Sequence, residues 1–103
     1  MARPTKLSAA EVTGRLVALP GWAVKDGKLH RELTFADFAQ AFAFMTDVAR
    51  EAEALDHHPE WFNVYNRVAI DLTTHDADGI TALDFELARR AEDLAGRRAR
   101  PAS

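Results

Sequence analysis

Apolar residues recur at helical spacing in three stretches of the chain and crowd into shorter runs between them. The middle stretch is the longest. Phe35, Phe38, Phe42, Met45 and Ala49 make one stripe, and Ala41, Phe44, Val48, Ala52 and Leu55 make a second, turned partway around the helix. The pattern predicts a helix over residues 35–55, roughly 30 Å long. A single small sheet covers only one of these faces. The second stripe is therefore expected to form a subunit interface and make a homo-oligomer, a dimer or tetramer joined through the middle helix. Burial of that stripe under the first and third helices is the alternative.

Three helix starts share one device. Ser8-Ala9-Ala10-Glu11, Thr34-Phe35-Ala36-Asp37 and Thr81-Ala82-Leu83-Asp84 each place a hydroxyl at the cap and an acid three residues on. The first helix is expected over residues 9–19, stopped by Pro20-Gly21, and the third over 82–94, stopped by Gly96. Residues 22–25 and 28–33 read as strands around Asp26-Gly27, a dipeptide favoured in two-residue hairpin turns. A second hairpin joins residues 61–64 or 65 to residues 68–73. The order is α-β-β-α-β-β-α. It predicts an α+β domain, a four-stranded antiparallel sheet with three helices on one face.

With 103 residues, 48% of them hydrophobic, the chain has room for one domain and one core. That domain is expected over residues 1–96, with 97–103 a basic, disordered tail. There is no cysteine, which excludes disulfides, thiol nucleophiles, Fe–S clusters and Cys-based zinc sites. Thirteen Lys and Arg stand against sixteen Asp and Glu, and three of the thirteen (Arg97, Arg98, Arg100) lie in the tail. Ten basic against sixteen acidic side chains leave the body at −6. Such a body lacks the electrostatic footprint of a nucleic-acid binder. No stretch reaches the roughly 18 apolar residues of a membrane span, and the start lacks an export signal's apolar core. A cytoplasmic location is the expectation.

Three of the four histidines fall close together in the expected fold. Pro59 disfavours helix at His58, so the middle helix must stop near Asp56 and leave His57 and His58 on irregular chain. A two-residue turn at Asn66-Arg67 sets His58 opposite His75; a three-residue loop at residues 65–67 sets His57 opposite it and lets Phe62 and Val64 share a face with Val68, Ile70 and Leu72. Either register brings His75 to the pair. Neighbours on extended chain point apart and no His-Glu-x-x-His spacing exists, so no metal site is expected. Imidazoles titrate near neutrality, and acid–base work suits such a cluster; a purely structural role, with the rings bonded to backbone, is the alternative.

The spacing Glu53-x3-His57-His58-Pro59-x5-Tyr65-x9-His75-x8-Asp84 resembles the signature of the pterin-4a-carbinolamine dehydratases. The runs Asp56-His57-His58-Pro59-Glu60-Trp61-Phe62-Asn63-Val64-Tyr65-Asn66, Thr73-Thr74-His75 and Phe42-Ala43-Phe44-Met45-Thr46 are similar almost letter for letter, and the likeness covers residues 20–95. The resemblance implies a small α+β enzyme, often oligomeric, that needs no metal and no added cofactor. It would dehydrate 4a-hydroxytetrahydropterin to quinonoid dihydropterin in tetrahydrobiopterin recycling. His57, His58 and His75 would be the site histidines, with His57 and His75 handling protons and His58 holding the pterin. Asp56 and the stretch Thr73, Thr74, His75 and Asp76 match substrate-contacting positions. Animal relatives also act as dimerisation cofactors for a transcription factor, so a binding module using the middle helix is the alternative class.

The remaining motif positions admit plainer roles. Glu53, one turn before His57, could orient that ring or stay solvated. Asp84 sits where the third cap wants its acid, which favours a structural role. Trp61 and Tyr65 are expected in sheet packing, with Trp61 near enough to wall a pocket. His30 has no match in the motif and is expected to be exposed.

Overall fold

In the computed structural model, which describes residues 4–98, Ser8 opens the first helix with a full capping box. Its Oγ accepts from the Glu11 N–H at 3.1 Å, and Glu11 Oε1 accepts from the Ser8 N–H at 2.9 Å. Helix α1 (Ala9–Leu16) is shorter than its pattern suggested. Tight turns, with Ala18 N–H bonding Arg15 O and Leu19 N–H bonding Leu16 O, carry the chain on and bury Leu19. Strands β1 (Ala23–Lys25) and β2 (Lys28–Thr34) then meet at Asp26-Gly27. Their φ values of 53° and 78° are the left-handed pair such a turn needs.

Helix α2 (Phe38–Leu55), strands β3 (Glu60–Val64) and β4 (Arg67–Leu72), a single 3₁₀ turn (His75–Ala77) and helix α3 (Ala82–Gly96) complete the chain. The sheet is antiparallel throughout, in the order β1-β2-β4-β3. This is the expected α+β architecture. Leu29 and Leu33 of β2 and Val68, Ile70 and Leu72 of β4 alternate onto one face and are buried beneath the helices. Glu92 on α3 ties the layers together: its Oε1 accepts from Trp22 Nε1 at 2.9 Å and from Arg31 Nε at 2.6 Å. Among the described residues no helix is long and apolar enough to cross a membrane. Within the basic tail Arg98 pairs with Asp47 at 2.6 Å, while residues 99–103 lie outside the described residues.

Helix α2 and the second hairpin depart from expectation. Helix α2 starts at Asp37, whose side chain caps the Gln40 N–H at 2.8 Å, not at Thr34. Thr34 is still in β2, paired with Arg67, because Phe35 must first enter the core, where its ring stacks 4.9 Å from Phe44. The two α2 stripes also exchange roles. Ala41, Phe44, Val48 and Ala52 are buried within the monomer, in the same core as Leu87, Ala88 and Ala91 of α3. Phe38 and Phe42 stand 48% and 55% exposed, their rings 5.6 Å apart. The sheet and α3, not a partner subunit, cover the stripe that includes Phe44.

The second hairpin adopts neither expected register. Val64 pairs with Arg67 and Trp61 with Ile70, so the turn is Tyr65-Asn66 and the ladder ends at Glu60 and Asp71. Asparagines fix it: Asn63 Nδ2 donates to Tyr65 O and Arg67 O at 3.2 and 2.8 Å, and Asn66 Nδ2 donates to Phe35 O at 3.0 Å. Trp61 takes the inner face, half-buried against the core. Phe62 and Val64 face outward, and Tyr65, in the left-handed region at φ 51°, is exposed instead of packed in the sheet.

Candidate active site

The site lies at the end of the sheet where α2 finishes, β3 begins and β4 ends. Helix α2 is stopped by Asp56 in the left-handed region at φ 50°, with the His57 N–H bonded to Ala52 O at 3.0 Å and the Asp56 N–H to Glu53 O at 3.2 Å. This paired closure is a Schellman motif, with Asp in the place glycine usually takes. It turns the His57 side chain inward.

His57 is buried, and its Nε2 lies 2.5 Å from Asp84 Oδ1. Asp84, fully buried at the start of α3, accepts at its other oxygen from the Thr81 N–H and the Thr74 hydroxyl, each at 2.8 Å. Its capping role is confirmed, and it holds a histidine as well. A carboxylate only accepts, so Nε2–H is the donor in this pair and Nδ1 is the ring nitrogen that Asp84 does not hold.

His58 and His75 face solvent. His58 Nε2 pairs with Glu53 Oε2 at 2.7 Å, so Glu53 serves His58 and not His57. The chain separates them as it must: His57 is drawn inward by the helix closure, and His58 is left beside the last turn of α2. His75 opens the 3₁₀ turn, in a loop pinched off where Thr74 and Gly79 exchange hydrogen bonds of 2.9 and 3.3 Å. Its Nε2 lies 3.1 Å from Glu60 Oε2, and Lys28 Nζ sits 2.5 Å from the other oxygen of Glu60. Lys28 first, and then His75, hold the Glu60 carboxyl below the usual carboxylate range. The three histidines thus lie around one end of the sheet, each on its own carboxylate. Among the described residues no three such side chains are grouped to hold a metal ion.

Sequence reasoning overlooked Glu60 and Lys28. Glu60 had a signal, standing two residues past His58, but Lys28 reaches it across the intervening β4, which no local pattern encodes. Of the expected substrate contacts, Asp56, His75 and Asp76 are exposed, Thr73 is half-buried, and Thr74 is buried. Thr73 and His75 line a recess of about 280 Å³ with Lys28 and Asp78. Larger recesses, of about 400 Å³ on the open sheet face and about 550 Å³ between α1 and α3, contain none of the three site histidines.

His30 departs from expectation. It is not exposed: its ring is gripped by Asp71 at Nδ1 and Glu32 at Nε2, both at 2.8 Å, on the open sheet face. The Glu32 hydrogen bond, and then Asp71, raise its pKa above the ordinary 6.5, while His30 lowers that of Glu32 below 4.5. The raised histidine contributes stability fully below pH 6.5 and loses it as pH climbs through the folded value; the lowered carboxylate contributes above pH 4.5. His30→Gln is therefore expected to cost most stability between those two values, and less at higher pH. Thermal melts of both proteins across and above that window check this, and a gap independent of pH contradicts it.

Comparisons with known proteins converge on one family. The family model described as pterin 4 alpha carbinolamine dehydratase matches residues 5–94. A Solibacter usitatus (strain Ellin6076) protein assigned as a pterin-4-alpha-carbinolamine dehydratase is 62% identical, over 88% of this chain and 96% of its own. A relative from Burkholderia multivorans (strain ATCC 17616 / 249), assigned in the same way, is 53% identical over 95% and 97%. Among solved structures, the transcriptional coactivator/pterin dehydratase from Brucella melitensis superposes with a TM-score of 0.86 at 47% identity, covering 89% of this chain and 100% of that one.

Proposed function

The chain belongs to the pterin-4-alpha-carbinolamine dehydratase family, and on that premise we propose that it dehydrates a 4a-hydroxytetrahydropterin to the quinonoid dihydropterin through His57, His58 and His75. The observation that carries this is the fixing of each imidazole by its own carboxylate at one end of the sheet. The reaction loses the 4a-hydroxyl as water, with one proton supplied to that oxygen and one removed from N5. An imidazolium gives the first and a neutral imidazole takes the second, and such positioned groups contribute roughly 10²–10⁴-fold. His57, through Nδ1, and His75 are the proton-handling pair. His58 holds the pterin, with Asp56, Thr73 and Asp76 as further contacts and Trp61 as a wall. Tetrahydrobiopterin recycling is the setting in which this product is used.

The test follows the ultraviolet absorbance of the carbinolamine as it decays with and without protein. Decay that accelerates in proportion to protein concentration supports the reading; an unchanged decay overturns it.

The same proposal includes a homo-oligomer joined through the exposed Phe38 and Phe42 of α2. Phe42→Glu is expected to lower the sedimentation coefficient while the fold survives. Phe44→Glu, a charge placed in the monomer core, is expected to unfold the protein instead. A Phe42→Glu protein that sediments as wild type contradicts the interface. The stripe would also suit a protein partner, a reading favoured by the likeness to the transcriptional coactivator/pterin dehydratase from Brucella melitensis. Binding that survives loss of His57 and His75 would mark that function as separate.

A further inference from the structure

Thr74 lies at a position matched to substrate contact, yet all of its polar groups turn inward. It is 6% exposed. Its N–H donates to Gly79 O at 2.9 Å, and its carbonyl accepts from the Gly79 and Ala77 amides at 3.3 and 3.1 Å. Its hydroxyl lies 2.8 Å from Asp84 Oδ2 and 2.8 Å from Thr81 Oγ1. A hydroxyl has one hydrogen to give. Spent on Asp84, it leaves Thr81 as donor to Thr74, and Thr81 Oγ1 in turn accepts from the Leu83 N–H at 3.2 Å. The donors run one way, from Leu83 through Thr81 and Thr74 into Asp84 Oδ2, and His57 Nε2–H meets the same carboxylate from the other side at Oδ1. Thr81 and Asp84 are both fully buried, so no water competes with it.

We propose that Thr74 is a positioning residue for His57. Its hydroxyl and the Thr81 amide together saturate Asp84 Oδ2, which leaves Oδ1 alone to hold the Nε2–H tautomer and frees Nδ1 for the substrate's protons. Two bonds on one oxygen and one on the other fix the carboxylate plane. Without the Thr74 hydroxyl the carboxylate can rotate about its Cβ–Cγ bond, and the His57 ring loses its fixed tautomer and aim. This rests on the reading of His57 as an acid–base group.

The experiment compares wild type, Thr74→Val (the same shape without the hydroxyl) and Thr74→Ser. It measures kcat and KM for carbinolamine dehydration and the imidazole ¹⁵N shifts of His57. Loss of one buried hydrogen bond predicts a kcat about tenfold lower in Thr74→Val, with KM nearly unchanged and a mixed-tautomer ¹⁵N signature. Thr74→Ser is expected to restore both. A folded Thr74→Val protein with wild-type kcat, or with the wild-type His57 signature, overturns the proposal. Should that variant fail to fold, wild type alone decides: an Nε2-protonated His57 and a Thr74 hydroxyl proton protected from exchange support the relay, and the opposite tautomer or rapid exchange ends it. If wild type shows no dehydration, the functional reading fails while the ¹⁵N signatures still judge the relay.

Discussion

Asp84→Ala is expected to lower the stability of the fold by about 3–5 kcal/mol, since each buried donor left unpaired costs about 1–3 kcal/mol. Three donors converge on this one carboxylate: the Thr81 amide, the Thr74 hydroxyl and His57 Nε2. All three groups are buried with it, so water cannot replace the lost acceptor without entering the core. The loss also removes one half of the capping box that starts α3. Small domains have only about 5–15 kcal/mol in total, so the variant should sit near the edge of folding. Differential scanning calorimetry should show a Tm drop of more than about 12 °C. A drop of a degree or two would mean that the Asp84 network contributes little.

His57→Gln is expected to leave the fold nearly intact and to lower kcat by about 10²–10³-fold, within the range of positioned acid–base groups. The glutamine amide can still donate to Asp84 Oδ1, which keeps the buried acceptor satisfied. It offers neither a basic nitrogen nor a titrating proton, so only the chemistry is removed. KM should move little, because His58 and the surrounding contacts remain to hold the pterin. Steady-state kinetics beside a thermal melt checks both halves. A variant with wild-type kcat would remove His57 from the reaction.

Much of the fold was legible because its signals are local. Asp26-Gly27 dictates its turn, Ser8 and Thr81 dictate their caps, and the α-β-β-α-β-β-α order leaves few ways to cover a four-stranded sheet. What failed depended on partners distant in sequence. Thr34 with Asp37 looks like a cap from its letters, but burial of Phe35 against Phe44 delays the helix. Two apolar stripes on α2 were visible, but which one α3 covers depends on tertiary packing. The second register slipped because Asn63 and Asn66 bond across to backbone at Arg67 and Phe35, and spacing says nothing of such bonds.

The site divides along the same line. Pro59 and the histidine pair mark where α2 must end, and the motif spacing marks His75 and Asp84. The assignment of carboxylates was beyond the sequence. Glu53 lies within a turn of both His57 and His58, and only the Schellman closure at Asp56 decides that it meets His58. Likewise, Thr74 and Thr81 read as a loop residue and a cap until the fold stacks their hydroxyls against one carboxylate.

The central claim is that imidazoles held at this sheet end dehydrate the carbinolamine. It is tested most directly by its ultraviolet decay in the presence of wild type and of the double variant His57→Gln/His75→Ala at equal concentration. Acceleration over the spontaneous rate by wild type, and decay at the spontaneous rate with the double variant, is the predicted result. Equal acceleration by both proteins would contradict it.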